Sequence, residues 1–356
     1  MWTKPWSMKE GFVIGAAIIG AGVLMQLATG PIDWSAFAWP INVLVLGVFL
    51  LGITIVFLVR RDSYSIHFLT THRAAVPALA YAALLTIVMG LTPQHDGGQW
   101  IENMLSFWPF ALIFAYICFL LGLLTLRRIS HMIYFNHRHP KGGRRPWLRD
   151  IGFILNHGGL FLTLVAATMG TPDMQRLRMT VQQGSEEWRG VDGEQRVVSL
   201  PFGIELKRFI LEQYADGSPS RFASELLLTK QNKQRISATV DVNHPFSLQG
   251  WKIYQYGYDT NAGAASQVSI LELVRDPWLP YVYTGIFMLL GGVLLMFFDK
   301  SYSAQGVSEE EIRREREKKR KKRQKEAAKR RMAEEFLGES HHHHESDEHE
   351  HYRAET

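Results

Sequence analysis

The chain has 356 residues, of which 47% are hydrophobic, and its formal net charge is +5. These averages hide a divided sequence, because six stretches are almost wholly apolar while residues 171–277 and 299–356 are polar. The division excludes a single soluble globular domain and predicts an integral membrane protein with one large extramembrane domain and a charged tail.

The apolar stretches predict six transmembrane helices, since each is close to the roughly 18–25 residues that a helix needs to cross a bilayer. They cover residues 11–29, 38–59, 74–91, 107–126, 151–170 and 279–298. The first stretch begins too far from the start and lacks a small-residue cleavage site, so we interpret it as a retained helix and not as a signal peptide.

Basic residues alternate between the links that join these helices. The links 60–73 and 127–150 contain all of the following: Arg60, Arg61, Arg73, Arg127, Arg128, Arg138, Lys141, Arg144, Arg145 and Arg149. The links 30–37 and 92–106 contain no lysine or arginine. Because basic links stay on the cytoplasmic side, the pattern predicts cytoplasmic termini and an exported segment 171–277.

The first two helices form a hairpin through Gly30 and Pro31, with Pro40 and Asn42 near the outer end of the second helix. Nothing in this hairpin indicates chemistry, and we expect it to serve packing or the docking of a partner. Pro93 ends the third helix at the outer surface. His95 and Asp96 follow it in a loop where a histidine is more often solvated than a ligand.

The fourth helix ends at Arg127 and Arg128, which anchor it at the inner surface. The inner link that follows carries His131, His137 and His139. Three histidines suggest a metal site, but the neighbouring positive charge opposes metal binding. A contact with lipid headgroups is the interpretation that we prefer.

The fifth predicted helix, 151–170, carries His157 as its only ionisable residue. An imidazole inside a membrane helix is unfavourable unless it faces a partner, a cavity or a ligand. Gly158 and Gly159 follow directly and clear space beside the ring, as a flat ligand or a closely packed helix would require. A histidine that only bonds to a neighbouring helix remains an open alternative.

Residues 171–277 are predicted to be mainly β. Leu177, Met179 and Val181 alternate with polar residues, which is the period of a half-buried strand. The segment 251–258 is aromatic and β-prone, while 216–217 and 261–263 are turn signals. His244 lies in a predicted turn that enters a strand, and no nucleophile motif, phosphate loop or paired-cysteine site accompanies it.

The single cysteine, Cys118, lies in the fourth predicted helix, so the exported domain has no disulfide and the chain has no thiol relay of its own. After the last helix, residues 307–336 predict a charged, solvated cytoplasmic helix. Its acidic residues and lack of aromatics disfavour nucleic-acid binding. The histidines at 341–344, 349 and 351 could hold divalent metals loosely, but a disordered tail is the preferred interpretation.

From about residue 74 to 298 the sequence resembles the ResB (Ccs-type) family of System II cytochrome c biogenesis. The resemblance is carried by the following pieces, in this order: Leu91-Thr92-Pro93-Gln94, Leu126-Arg127-Arg128, His157, Leu200-Pro201-Phe202, Val242-Asn243-His244-Pro245-Phe246, Gly250, Tyr254-Gln255-Tyr256, Asp276-Pro277, Tyr283 and Gly285. The family core is similar to helices three to six only, so helices one and two are an addition. Trp278 replaces the glycine that usually follows Asp-Pro in the family.

The resemblance implies five regions and a fold. Residues 1–59 are a two-helix membrane addition, 60–170 are core helices three to five, and 171–277 are an extracytoplasmic β-rich domain. Residues 278–298 are the last membrane helix, and 299–356 are a cytoplasmic charged tail. The fold class is thus a membrane α-helical protein with six transmembrane helices and a mainly-β domain between helices five and six.

The resemblance also implies a function. A ResB-type protein pairs in the bacterial inner membrane with a CcsA-type protein, which carries a tryptophan-rich haem motif that this chain lacks. Together they carry haem b outward and attach it to apocytochrome c, and a thiol-reducing partner is a further expectation. His157 occupies the position of the family's intramembrane axial ligand to the haem iron, with Asn156, Gly158 and Gly159 beside it. The chain is then a non-catalytic or shared-site subunit of a haem lyase.

Two rival functions stay open. A structural assembly protein would only dock apocytochrome c or its reductant, without a haem site of its own. A permease-like subunit would couple an exported domain to a cytoplasmic ATPase. Against the permease, the links 60–73 and 127–150 contain no amphipathic coupling helix that we can name in the sequence.

Overall fold

A computed structural model of the protein describes residues 6–59, 64–95, 97–98, 100–138, 146–216 and 218–298. Residues Met1–Leu295 form one compact unit, and of the second unit, Met296–Thr356, only the first three residues are described. Several sequence-based predictions therefore lie outside the described residues. These concern Arg60, Arg61, Asp96, His139, Lys141, Arg144, Arg145, Gly217 and the whole tail 299–356, including its histidines.

The described residues contain six helices that are long and apolar enough to cross a membrane, as the sequence predicts. They are α1 (Met8–Thr29), α2 (Ile41–Val59), α4 (His72–Leu91), α5 (Trp108–Arg138), α6 (Pro146–Gly170) and α7 (Leu279–Phe298). A short helix, α3 (Tyr64–Phe68), joins α2 to α4. The helix after Pro93 starts again only at Trp108, so the predicted end of the third span is confirmed at Leu91.

Two features of the helices differ from the sequence analysis. Helix α5 continues past the predicted end at residue 126 and reaches Arg138. The apolar run ends there, but no proline or glycine follows before Pro140, so nothing breaks the helix. Helix α3 was not predicted because five residues are too few to show a helical period. Its buried Phe68 joins an apolar cluster with Ala74, Ala78 and Leu120.

Helix α1 packs closely against α4 and α5 through glycines. Gly15 faces the ring of Tyr81, where an added Cβ would lie 2.5 Å from the ring carbons. Gly22 meets the backbone of Pro109, where an added Cβ would lie 2.6 Å from its Cα. Because neither neighbour leaves room for a side chain, α1 is an integral part of the bundle.

Residues 174–275 form one antiparallel sheet of eight strands. The strands are β1 (Gln175–Gln182), β2 (Glu186–Val191), β3 (Val197–Gln213), β4 (Pro219–Lys230), β5 (Arg235–Asp241), β6 (Phe246–Leu248), β7 (Trp251–Tyr258) and β8 (Val268–Arg275). Their order across the sheet is β5-β4-β3-β2-β1-β8-β7-β6, so the first and eighth strands lie side by side at its centre. The chain therefore leaves the membrane at α6 and returns to it at α7 through neighbouring strands.

The sheet buries one face, as the alternating pattern predicts. Leu177, Met179 and Val181 are 2%, 2% and 0% exposed, and they belong to one cluster with side chains from nearly every strand. The sheet curls over this cluster, since Ser224 of β4 bonds Ser269 of β8 at 2.8 Å although several strands separate them in the sheet. The mainly-β prediction for 171–277, the strand at 251–258 and the turn before β6 at His244 are confirmed.

Candidate functional site

His157 lies on α6, in the half of the helix that is remote from the sheet. Seven residues separate it from Asp150 and thirteen from Gly170, where the chain turns towards β1. At 1.5 Å per residue these separations correspond to about 10 Å and about 20 Å along the helix. The side chain is half-buried, in agreement with an imidazole that a membrane helix directs towards a neighbour or a ligand.

One ring nitrogen of His157 is held by the helix itself. Nδ1 lies 3.1 Å from the carbonyl oxygen of Phe153, one turn earlier. A carbonyl only accepts, so this contact requires the tautomer in which Nδ1 carries the proton and donates it. Nε2 then keeps its lone pair, and among the described residues it has no hydrogen-bond partner. This is the arrangement of an imidazole that can bind a metal through Nε2.

The plane of the imidazole is also fixed by an aromatic neighbour. The rings of Phe153 and His157 stack with their centroids 3.8 Å apart and their planes 14° from parallel. This spacing follows from the helix, because residues four apart lie on the same face. The stack and the Nδ1 bond together leave the ring little freedom to rotate, so Nε2 points in one direction.

A buried ion pair stands next to this stack. Arg128 of α5 donates from Nη2 to Asp150 Oδ1 at 2.5 Å, and only 8% of the Asp150 side chain is exposed. The Arg128 guanidinium carbon also lies over the Phe153 ring, 5.1 Å from its centroid. Sequence analysis placed Arg128 at the inner surface as an anchor and did not connect it with His157. The 29-residue separation and the different helix gave no local signal of the contact.

The residues beside His157 in the chain pack against α7 and α5. An added Cβ at Gly159 would lie 2.7 Å from the carbonyl oxygen of Gly285, so α7 fills the space beside it. At Gly158 the nearest atoms would be ordinary neighbours, Thr125 Cγ2 at 3.5 Å and Met288 Cε at 3.8 Å. Of the two reasons for glycine that the sequence left open, the closely packed helix is thus the one seen at Gly159.

Asn156 also faces α7. Gly292 lies against it so closely that an added Cβ there would be 2.9 Å from the Asn156 Cγ and 2.8 Å from its backbone nitrogen. The predicted site residues therefore divide by direction. Asn156 and Gly159 contact α7, whereas His157 belongs to the face that carries Phe153 and Asp150 towards Arg128.

These contacts fit a single axial bond to a haem iron. Imidazole is a common axial ligand, and Nε2 of His157 is oriented and free of other bonds among the described residues. The described residues contain no group of three or more histidine, cysteine, aspartate or glutamate side chains that could hold a metal ion. A second axial ligand would then come from outside the described residues, as the resemblance to the ResB family implies.

A second polar cluster lies at the sheet end of the bundle. Asp173 accepts hydrogen bonds from the Trp39 backbone at 2.7 Å, from Asn42 Nδ2 at 2.7 Å and from Trp278 Nε1 at 2.7 Å. Asn42 is only 1% exposed and also donates to the carbonyl of Met169. The carboxylate thus joins α2, α6 and the start of α7. Sequence analysis treated Asn42 as a tolerated polar residue and missed this role, since both partners are more than 120 positions away.

Beside this cluster lies an apolar cavity of about 400 Å³ between α2, α5 and α6. Its walls include Phe37, Phe49, Trp108, Phe114 and Cys118. Burial of Cys118 to 3% exposure keeps this only thiol away from solvent. The cavity therefore offers no redox group to an aqueous partner.

Comparison with known proteins bears on the segment that holds the site. Residues 142–271 match the model of the ResB-like family, which confirms the resemblance over α6 and most of the sheet. The helices before residue 142, with the Pro93 and Arg127-Arg128 motifs, lie outside this match. Both His157 and the strands β1 to β7 lie inside it.

Relatives with the same kind of match are cytochrome c biogenesis proteins. The chain is 28% identical over 134 residues to the cytochrome c biogenesis protein CcsB of Synechococcus sp. (strain JA-2-3B'a(2-13)), covering 36% of this chain and 28% of the relative. It is 32% identical over 99 residues to protein NrfI of Wolinella succinogenes, covering 27% of this chain and 10% of the relative. A third, CcsB of Synechococcus sp. (strain RCC307), is 32% identical over 114 residues, covering 32% and 25%. The matches thus span between 10% and 28% of these relatives.

Among solved structures, the chain is similar to one named cytochrome c heme lyase CcmF. The similarity covers 83% of this chain and 46% of that chain, with 15% identical residues and a TM-score of 0.34. A TM-score this low does not establish a common fold.

Proposed function

We propose that this protein is the haem-handling subunit of a cytochrome c synthase complex, which carries haem b across the membrane and supports its covalent attachment to apocytochrome c. One observation carries the proposal. His157 is a half-buried imidazole with an oriented Nε2, and it lies on a membrane-length helix inside the segment that matches the ResB-like family.

In this proposal the residues of α6 divide the work. His157 Nε2 binds the iron of haem, which is the transported substrate, while the Phe153 carbonyl holds Nδ1 and fixes the tautomer. Phe153 supports the ring from one face. Asn156, Gly158 and Gly159 adjoin the bound substrate and let α7 and α5 approach the histidine closely.

The chemistry of attachment needs other proteins. The described residues include no nucleophile and base pair that would join haem to a thiol, so we assign no catalytic residue to this chain and propose a non-catalytic or shared-site role. A CcsA-type membrane protein supplies the tryptophan-rich haem motif and the second axial ligand. Because Cys118 is buried and no other cysteine exists, any reduction of apocytochrome thiols belongs to a separate partner.

The proposed placement is a multi-pass protein of the bacterial inner membrane with both termini in the cytoplasm and the sheet in the periplasm. The charge pattern supports this orientation, since Arg127 and Arg128 lie at the end of the bundle remote from the sheet. His157 is then about 10 Å from the cytoplasmic end of α6, where haem made in the cytoplasm arrives.

The test is to purify the protein together with its membrane partners and to record the absorption spectrum and haem content. We expect bound haem with the spectrum of an imidazole-ligated iron, and a loss of the His157-dependent part in the variant His157→Ala. A complex that contains no haem, or whose spectrum is the same in that variant, would contradict the proposal.

A second candidate is a structural subunit that assembles the complex and docks apocytochrome c without binding haem. The close approach of Gly159 to Gly285 favours it, because tight helix packing alone explains why a glycine follows the histidine. Haem content separates the two candidates, since a docking subunit predicts reduced assembly and unchanged haem in each assembled complex.

A permease-like subunit has less support in the described residues. The link between α2 and α4 does contain a short helix, α3, but it has only five residues. Its Phe68 is 2% exposed and packs inside the helical bundle. A coupling helix would instead present its side chains to a cytoplasmic ATPase.

A further inference from the structure

Arg128 has one hydrogen-bond donor without a partner. Its Nη2 donates to Asp150, but its Nε is buried and has no acceptor among the described residues. A buried donor that is left unpaired is unfavourable by the full cost of removing it from water, so such groups usually have a ligand or another function. The donor is moreover part of a cation, for which the natural acceptor is a carboxylate.

The unpaired donor lies next to the proposed ligand to iron. The Arg128 guanidinium carbon is 5.1 Å from the centroid of Phe153, and the other face of that ring stacks on His157 with centroids 3.8 Å apart. Phe153 therefore lies between a cation and an imidazole. A porphyrin bound at Nε2 stands across the iron–nitrogen bond, so its edge runs along this stack towards the guanidinium.

Haem carries two propionate arms, each ending in a carboxylate. An arginine binds a carboxylate through two parallel hydrogen bonds when two of its donors on one side are free to turn towards it. Asp150 uses Nη2 of Arg128 and leaves Nε, so the guanidinium can receive a second carboxylate beside the one it already holds.

We infer that Arg128 is a specificity-determining residue, which binds a propionate carboxylate of the haem that His157 holds by its iron. The inference rests on the function proposed above and adds to it a second point of recognition. His157 selects the metal, and Arg128 selects the free acid and sets which edge of the porphyrin faces the cytoplasmic end of α6. Asp150 orients the guanidinium and is itself not a ligand.

The experiment compares Fe(III) protoporphyrin IX with its dimethyl ester, in which both propionates are neutral. Each is titrated into the full-length protein, purified with its membrane partners and stripped of haem, and the absorbance change is recorded. The same titration of the His157→Ala variant is subtracted, so that haem bound elsewhere in the complex does not count. We expect the wild type to bind the free acid at least about tenfold more tightly than the ester, a ratio that corresponds to about 1.4 kcal/mol.

Three variants locate the source of this ratio. Arg128→Gln should reduce it to about one while keeping the His157-dependent spectrum. Arg127→Gln is the matched control, because the neighbouring arginine bonds Thr70 of α4 and should leave the ratio unchanged. Asp150→Asn separates the inference from a purely structural ion pair, since it breaks the pair but retains the cation and should keep the ratio near the wild-type value.

Equal affinity of the wild type for the acid and the ester would overturn the inference without using any variant. It would also be overturned if Arg128→Gln kept the preference, or if Asp150→Asn lost it to the same degree as Arg128→Gln. Failure of the proposed function gives a different result, because neither porphyrin would then produce a His157-dependent absorbance change.

Discussion

Gly159 of α6 and Gly285 of α7 approach each other so closely that a Cβ added at Gly159 would lie 2.7 Å from the Gly285 carbonyl oxygen. In the reverse direction, a Cβ at Gly285 would lie 2.7 Å from the Gly159 carbonyl oxygen and would overlap Thr163. The two glycines thus form the crossing point of the helices that lead into and out of the sheet. Because His157 is two residues from Gly159, the position of α7 limits the space around the imidazole.

The crossing predicts different results for two adjacent glycines. Gly159→Ala should lower the free energy of unfolding by about 1–3 kcal/mol, since the new methyl group meets α7 backbone that must move. Gly158→Ala is the matched control, because its Cβ would make only ordinary contacts at 3.5 and 3.8 Å and alanine favours a helix. Thermal unfolding midpoints of both variants in detergent measure the difference, and equal midpoints would show that α7 does not pack on Gly159.

Removal of the imidazole should abolish haem binding without unfolding the helix. We expect His157→Ala to assemble normally, because alanine is a good helix former, but to hold less haem and to mature little c-type cytochrome. Imidazole in the medium should restore part of both by entering the volume that the ring leaves beside Phe153. A packing histidine predicts the opposite pattern, with less assembled complex, unchanged haem per complex and no effect of imidazole.

The stacked phenylalanine should act through the orientation of His157. Phe153→Leu keeps an apolar side chain but removes the ring that lies 3.8 Å from the imidazole. Haem should still bind, with an affinity that falls by about tenfold or less, since an aromatic pair contributes about 0.5–1.5 kcal/mol beyond its buried area. Titration against Phe161→Leu, four residues beyond His157, provides the comparison, and an equal loss in both variants would argue against a specific effect of the stack.

The Asp173 cluster should hold the N-terminal helices onto the core. Asn42→Ala removes a donor to a carboxylate and leaves that oxygen with one partner fewer, so we expect a loss of about 1.5–3 kcal/mol of stability. Ser35→Ala breaks the exposed bond to Asp33 in the same hairpin and should change stability by less than about 0.5 kcal/mol. The accessibility of the α1–α2 hairpin to protease, measured in membranes, should rise in the first variant only.

Orientation in the membrane is open to a direct test. In a protein with Cys118 replaced by alanine, a single cysteine at Ser185 should react with a membrane-impermeant thiol reagent added to whole cells. A single cysteine at Ser308, which lies outside the described residues, should react only after the cytoplasm is opened. Labelling of the Ser185 site from the cytoplasmic side alone would reverse the proposed topology.

Much of the architecture could be predicted from the sequence because its causes are local. A membrane helix needs a run of apolar residues, and a half-buried strand needs alternation, so the six helices and strands such as β1 and β7 are visible in the order of residues. The function expected from the ResB resemblance is likewise carried by motifs in the chain. The end of α5 at Arg138 was missed for a related reason, since hydropathy reports where a helix leaves the apolar layer and not where it stops.

The surroundings of the candidate site were decided by tertiary structure. The sequence singled out His157 by its cost in a membrane, but Arg128, which lies over the adjacent Phe153, comes from another helix. It likewise left open whether a ligand or a helix fills the space beside Gly159, and α7, more than a hundred residues later, occupies it. Asn42 and Asp173 are 131 positions apart. Helix contacts of this kind depend on how side chains of distant segments fit together, and a residue's own neighbours in the chain do not determine that fit.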